Sequence, residues 1–270
     1  MQGRDPAEEL GPLGENDAKS RMRESVVSVR LKRTLGACVA GAGLIGLVAG
    51  CGTDGSPVAA GSLGSQSTPS AADPAKARQL VLDAGEFPAG YQVQEVPRGQ
   101  TQQMVDTILK STRSADITPS HCVQLSAVPP TVDADDLGLA VATKGTESMI
   151  AESVGVSTPS LEQYRTQVSG DCAHLTMNMS VEGQSVKGTV DQKLIDGPKT
   201  SADDTLVVDM TTVSEVGTQS VTQHMIAGYA AVNGYTVSVQ ASSPNPSGSI
   251  DRAGFDEVFV KAVQKAVDET

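Results

Sequence analysis

The run Leu47-Val48-Ala49-Gly50-Cys51 closes an apolar segment with small residues and a cysteine, and it constrains the chain more than any other stretch. It reads as a lipobox: cleavage before Cys51, then acylation of that thiol as a membrane anchor. The apolar core before it, Leu35 to Ala49, follows a basic stretch from Arg21 to Arg33, as in a signal peptide. At about fifteen residues, the core is short of the ~20 that a membrane-spanning helix needs. Residues 22–50 therefore read as a lipoprotein signal peptide. Residues 1–21 are polar and lack periodicity; the expectation is a translation start downstream, at Met22 or at Val26, Val27 or Val29, the alternative being a cytoplasmic extension.

Processing changes the charge that matters. Seven basic and six acidic residues precede Cys51, which leaves 13 Lys and Arg against 26 Asp and Glu, a net charge near −13. Such a surface repels phosphate backbones, so nucleic acid is excluded as a partner. With no Trp, three Phe and four Tyr, the interior must be filled by Val, Leu, Ile, Met and Ala. Of four cysteines, Cys38 leaves with the signal peptide and Cys51 is lipidated. Cys122 and Cys172 remain, and outside the cytoplasm such a pair is expected to form a disulfide.

Residues 51–73 hold Gly, Ser, Thr, Ala and Pro with a single Leu, which builds no core and reads as a flexible tether. The folded domain is expected over 74–270. Asp73-Pro74 caps a helix with Ala77, Leu80 and Val81 on one face and Gly85 as its C-cap, Tyr91 to Val96 alternates as a strand, and Thr101 to Thr112 has helical spacing at Met104, Val105, Ile108 and Leu109. Thr118-Pro119 opens a short helix carrying Cys122, and Thr158-Pro159 opens another through Val168. Strands are expected over Leu137–Thr143, Ser148–Val154, Leu175–Val181, Ser185–Ile195, Leu206–Thr212, Val221–Val232 and Tyr235–Ala241. Asn233-Gly234 is a type I′ hairpin turn between the last two. Ile250 to Val267 closes the chain as an amphipathic helix. The pattern gives an α+β class: an antiparallel sheet of about six strands, helices packed on one face, one disulfide.

A Phe-Pro-x-Gly-Tyr turn (Phe87 to Tyr91), a Thr-Pro-x-x-Cys helix start (Thr118 to Cys122) and a helix ending at Cys172 occur together. Long alternating strands and a C-terminal helix follow. In this order they resemble the sensor-like lipoprotein domains of mycobacteria and related actinobacteria, themselves similar to the extracellular sensor domains of mycobacterial transmembrane Ser/Thr kinases. The resemblance covers about residues 76–268. It implies an extracytoplasmic ligand- or partner-binding module and supplies no catalytic residues. The kinase sensor domains carry a second disulfide that this chain lacks, so their central cleft does not transfer in detail.

Four constellations invite chemistry. His121-Cys122 with Cys172 and His174 suggests a Cys₂His₂ zinc site, but a cross-linked pair offers no thiolate. Asp133, Asp135 and Asp136 suggest a calcium loop, but Leu137 and Lys144 stand where an EF-hand needs oxygen ligands; Asp203-Asp204 reads as a loop before a strand. His224 reads as a sheet-face residue rather than a general base, and Met177, Met179 and Met210 as sheet-face or core filler. No Gly-x-Ser-x-Gly elbow, HExxH or phosphate-cradling loop is present, so no metal, cofactor or catalytic set is expected. The reading is a non-enzymatic lipoprotein on the outer face of the cytoplasmic membrane, taking an envelope lipid, a small molecule or an envelope protein as partner. The alternatives are an envelope hydrolase and a structural surface protein.

Overall fold

The alternating arms pair into one antiparallel sheet of nine strands in a computed structural model that describes residues 72–122, 132–156, 160–181 and 184–270. The strands are β1 (Gln92–Gln94), β2 (Asp116–Thr118), β3 (Gly138–Lys144), β4 (Ser148–Val156), β5 (His174–Val181), β6 (Gln184–Ile195), β7 (Asp204–Val216), β8 (Gln219–Val232) and β9 (Tyr235–Ser242). Their order across the sheet is β1-β3-β4-β9-β8-β7-β6-β5-β2. The helices are α1 (Arg98–Ser114), α2 (Leu161–Gln167) and α3 (Arg252–Glu269). Among the described residues no helix is long and apolar enough to cross a membrane. The signal peptide, the lipidation site and nearly all of the tether lie outside the described residues.

Strand alternation gives the sheet two distinct faces. On one, α3 buries Phe255, Val258, Phe259, Ala262, Val263 and Ala266 against Ile150, Val154, Val237, Val239, Ala230 and Ala241. The helix starts where Asp251 accepts from the Gly254 N–H at 2.9 Å, a side-chain N-cap. The Phe-Pro-x-Gly-Tyr turn is tied to the same spot: Phe87 is buried, and the Tyr91 hydroxyl donates to Asp251 Oδ2 at 3.2 Å. Gly228 on β8 lets the helix sit close, since a Cβ there would lie 2.9 Å from Phe255 Cζ.

The other face is covered as well, which corrects the expectation of helices on one side. α2 sets Leu161, Tyr164 and Val168 on Leu206, Val208, Ala227 and Tyr229. Its cap is reciprocal: Ser160 Oγ accepts from the Gln163 N–H, and Gln163 Oε1 accepts from the Ser160 N–H. Thr158-Pro159, the expected cap, falls outside the described residues. α1 packs against β5, and its Val105 and Leu109 meet Val132 and Leu137. Leu137 lies against Gly155 on the side away from α3, which sets α1 over that second face.

The strand count also differs from about six. β1 lies inside the alternating stretch expected at Tyr91 to Val96. β2 is a three-residue edge strand, too short for alternation to declare it, and it ends at Thr118, where a helix start was expected. Cys122 then lies in a 3-10 turn, Ser120–Cys122. The segment after Asp73 is likewise a 3-10 helix, Pro74–Gln79, rather than a helix capped at Gly85, which lies instead in a separate 3-10 turn, Ala84–Glu86. The β8–β9 hairpin turns as expected, with Asn233 at φ 46 and Gly234 at φ 88, the positive pair that a type I′ turn requires.

Candidate functional site

Four strands in register lay a grid of side chains on the face away from α3. Ser153 stands opposite Ser238, then Tyr229, then Leu206. The next row runs Ala151, Gln240, Ala227 and Val208, and the third Met149, Ser242, Met225 and Met210. The middle of this grid is small and polar, yet Ser153, Ser238, Gln240 and Ser242 are all buried. The serine hydroxyls satisfy each other, with Oγ to Oγ at 3.1 Å. Gln240 is different: its Nε2 is buried and has no hydrogen-bond partner among the described residues.

An amide N–H buried without an acceptor costs roughly 1–3 kcal/mol, and native proteins seldom leave one so. The flanks of this floor are apolar. Tyr229 stacks on Tyr164 of α2 with ring centroids 5.0 Å apart. Burial pushes the Tyr164 phenol up to about 12 and raises that of Tyr229 as well, so both stay neutral. Met225 is buried, and Met210 is packed against the same cluster. Flexible thioethers suit a wall that adapts to an apolar guest. The arrangement offers one N–H donor on a floor of small polar groups between methionine and tyrosine.

Of the residues singled out in the sequence, Met210 falls here, and the others fall elsewhere. Cys122 and Cys172 are joined in a disulfide, with Cα atoms 5.3 Å apart, among Ala115, Ile117, Leu175, Met177 and Val190 at the β5 and β2 end of the sheet. Gln192 ties that end to α2 by donating to the carbonyls of Gln167 and Cys172 at 2.9 and 2.8 Å. His121 closes on the two sulfurs, but His174 does not. It opens β5, where alternation turns it to the opposite face, and its Nδ1 lies 2.6 Å from Asp191 Oδ1. His224 is an exposed sheet-face residue, 3.0 Å from Thr211 Oγ1. None of the chain's three histidines is on the strands of the Ser153–Ser238 pair.

The acidic stretches are held by cations of the protein itself. Asp135 pairs with Arg78 at 2.7 Å and lies 3.6 Å from Arg98, while Asp133 caps the turn by accepting from the Asp135 N–H. Asp204 begins β7 rather than ending a loop. Hydrogen bonding to the Arg165 guanidinium holds its carboxyl below the usual range. A shallow hollow of about 380 Å³ lies at the far end of the sheet, near Asp116, Asn178, Lys187 and Glu215. Its polar lining is exposed and solvated. Met177 and Met179 fill the face above the disulfide.

Ser153, Ser238 and Gln240 went unmarked in the sequence because Val237 to Ser242 alternates as an ordinary half-exposed strand does. The usable signal was the unbroken apolar run of neighbouring strands, Leu206-Val207-Val208 and Tyr229 to Val232, which is the mark of a sheet buried on both sides.

The fold and this floor define an α+β domain: a two-faced antiparallel sheet with a buried donor left unsatisfied among the described residues. The chain matches no protein-family model, and it matches no curated protein. Among solved structures it is similar to an uncharacterized protein of Mycobacterium smegmatis, the Rv0999 ortholog, at 15% identity over 74% of this chain and 100% of that one, TM-score 0.42. It is also similar to the extracellular domain of PknH from Mycobacterium tuberculosis, at 14% identity over 75% of this chain and 100% of that one, TM-score 0.40. At those values the likeness says nothing about what this chain binds.

Proposed function

We propose that this protein is a lipid-anchored, extracytoplasmic binding module without catalytic activity, and that its ligand sits over Ser153, Ser238 and Gln240. The observation that carries the reading is the Gln240 amide, buried and without an acceptor among the described residues. A ligand presenting a carbonyl or hydroxyl oxygen there, with apolar flanks against Met210, Met225 and Tyr229, would satisfy the donor and exclude water. An envelope lipid or other amphiphile has that chemistry. The lipobox at Cys51 supports the compartment, and the Cys122–Cys172 disulfide is compatible with an oxidising one. Against a hydrolase stands the pairing of each serine with another hydroxyl rather than with a base.

The test uses the full chain expressed with its own signal. The processed protein should be recovered from membranes with Cys51 as its acylated N-terminus, and Cys51→Ala should release it from the membrane fraction. Native mass spectrometry after exposure to envelope lipid extract should show a retained apolar species. A soluble, unprocessed chain that retains nothing would overturn the proposal.

A further inference from the structure

On the α3 face, immediately beside Ser153 in sequence, Glu152 is the one carboxylate of the described residues that lies fully inside the core, at 0% exposure. Its strand neighbours are Ala140 and Val239, which offer it nothing polar. Oε2 accepts from the Leu82 N–H at 3.0 Å, and Oε1 has no partner among the described residues. Above it runs the segment Leu80–Phe87, with Leu80, Leu82 and Phe87 buried in the same core. From the helix side, the Lys265 ammonium donates to the Val81 carbonyl at 2.8 Å, to Glu86 at 3.1 Å and to Asp83 at 3.2 Å. Lys261 donates to the Glu86 carbonyl and to Glu257, both at 2.8 Å. The segment is therefore gripped from the sheet below by one carboxyl and from α3 by two lysines.

We propose that Leu80–Phe87 is a pH-gated strap: clamped to the sheet by neutral Glu152 in mild acid, and released as the carboxyl ionises toward neutral and alkaline pH. The inference is independent of any ligand on the other face.

An ionised carboxylate inside an apolar core is costly, a neutral acid far less so. Burial is the largest influence and holds Glu152 up at about 7; the Leu82 N–H and Lys265 pull it down, and Glu86 pushes it up again. The charged groups acting on it are thus Glu86 from the strap and Lys265 from α3; Asp83 bonds Lys265, and Lys261 bonds the Glu86 carbonyl and Glu257. β3 and β9 contribute only apolar neighbours. Opening the strap hydrates the carboxyl and returns it to about 4.5. The closed form binds the proton more tightly, so closure is fully favoured below about 4.5 and weakens as pH climbs to about 7. By that linkage the opening constant rises on the order of 70-fold between pH 5 and 8, then levels off.

Hydrogen exchange on the full chain, corrected for the intrinsic pH dependence of exchange, tests this on the peptide covering Leu80–Phe87. Opening should increase tens-fold from pH 5 to 8 and flatten above 7, while amides of β8 stay flat. Glu152→Gln, which keeps an acceptor for Leu82 and cannot ionise, should abolish the rise. A strap indifferent to pH in the wild-type protein, or an equal rise in Glu152→Gln, overturns the proposal. If the variant does not fold, the wild-type profile decides alone.

Discussion

The hydroxyl of Tyr235 is bonded twice to the backbone of Asp73, accepting from its N–H and donating to its carbonyl, each at 2.9 Å. Those residues are 162 positions apart. The ring sits at the β8–β9 hairpin in the α3-face core, so one phenol ties the backbone at Asp73 to that core. Asp73 in turn caps the first 3-10 helix through its side chain.

Tyr235→Phe keeps the ring and removes both bonds, leaving a part-buried N–H and carbonyl to water. It should cost about 1–3 kcal/mol in urea unfolding, and exchange should rise first at residues 73–77.

Reduction of the Cys122–Cys172 bond should destabilise the domain. The cross-link closes a loop across a sequence separation of 50, worth about 4 kcal/mol in the chain-entropy account and less if other terms oppose it. Unfolding with and without reductant measures it directly. Cys122→Ala with Cys172→Ala should reproduce the loss and make the protein insensitive to reductant.

Gly228→Ala should destabilise by about 1–3 kcal/mol, because its Cβ would press on Phe255 at 2.9 Å and Phe259 at 3.1 Å. Gly99→Ala is the counterpart: no atom lies within 4 Å of that Cβ, and the site is in the first turn of α1. It should be neutral or stabilise by about 0.5–1 kcal/mol. The thermal midpoint should fall for Gly228→Ala and hold or rise for Gly99→Ala.

Long-range covering explains what the sequence did and did not reveal. The arms from Leu175 onward, the Asn233-Gly234 turn and the closing helix were legible because alternation, turn chemistry and helical spacing are local. The second layer of helices was not, since whether Ser238 and Gln240 meet solvent depends on α1 and α2, more than sixty residues away in the chain. Glu152 escaped for the same reason: a glutamate between Ala151 and Ser153 looks like an exposed strand position until Leu82 is laid on it. His174 was misplaced beside the disulfide because proximity in sequence to Cys172 does not survive one step of strand alternation. The similarity to an extracellular domain of a mycobacterial kinase, expected from the order of short motifs, appears in the solved structures only at low identity.

The most direct test of the binding floor is Gln240→Met, read for stability and ligand retention together. Replacing a buried, unpaired amide by a thioether of similar length should raise the unfolding free energy of the ligand-free protein by about 1–2 kcal/mol. It should also abolish retention of the species that the wild-type protein takes from envelope lipid extract. A variant that is less stable and still retains that species would contradict the account.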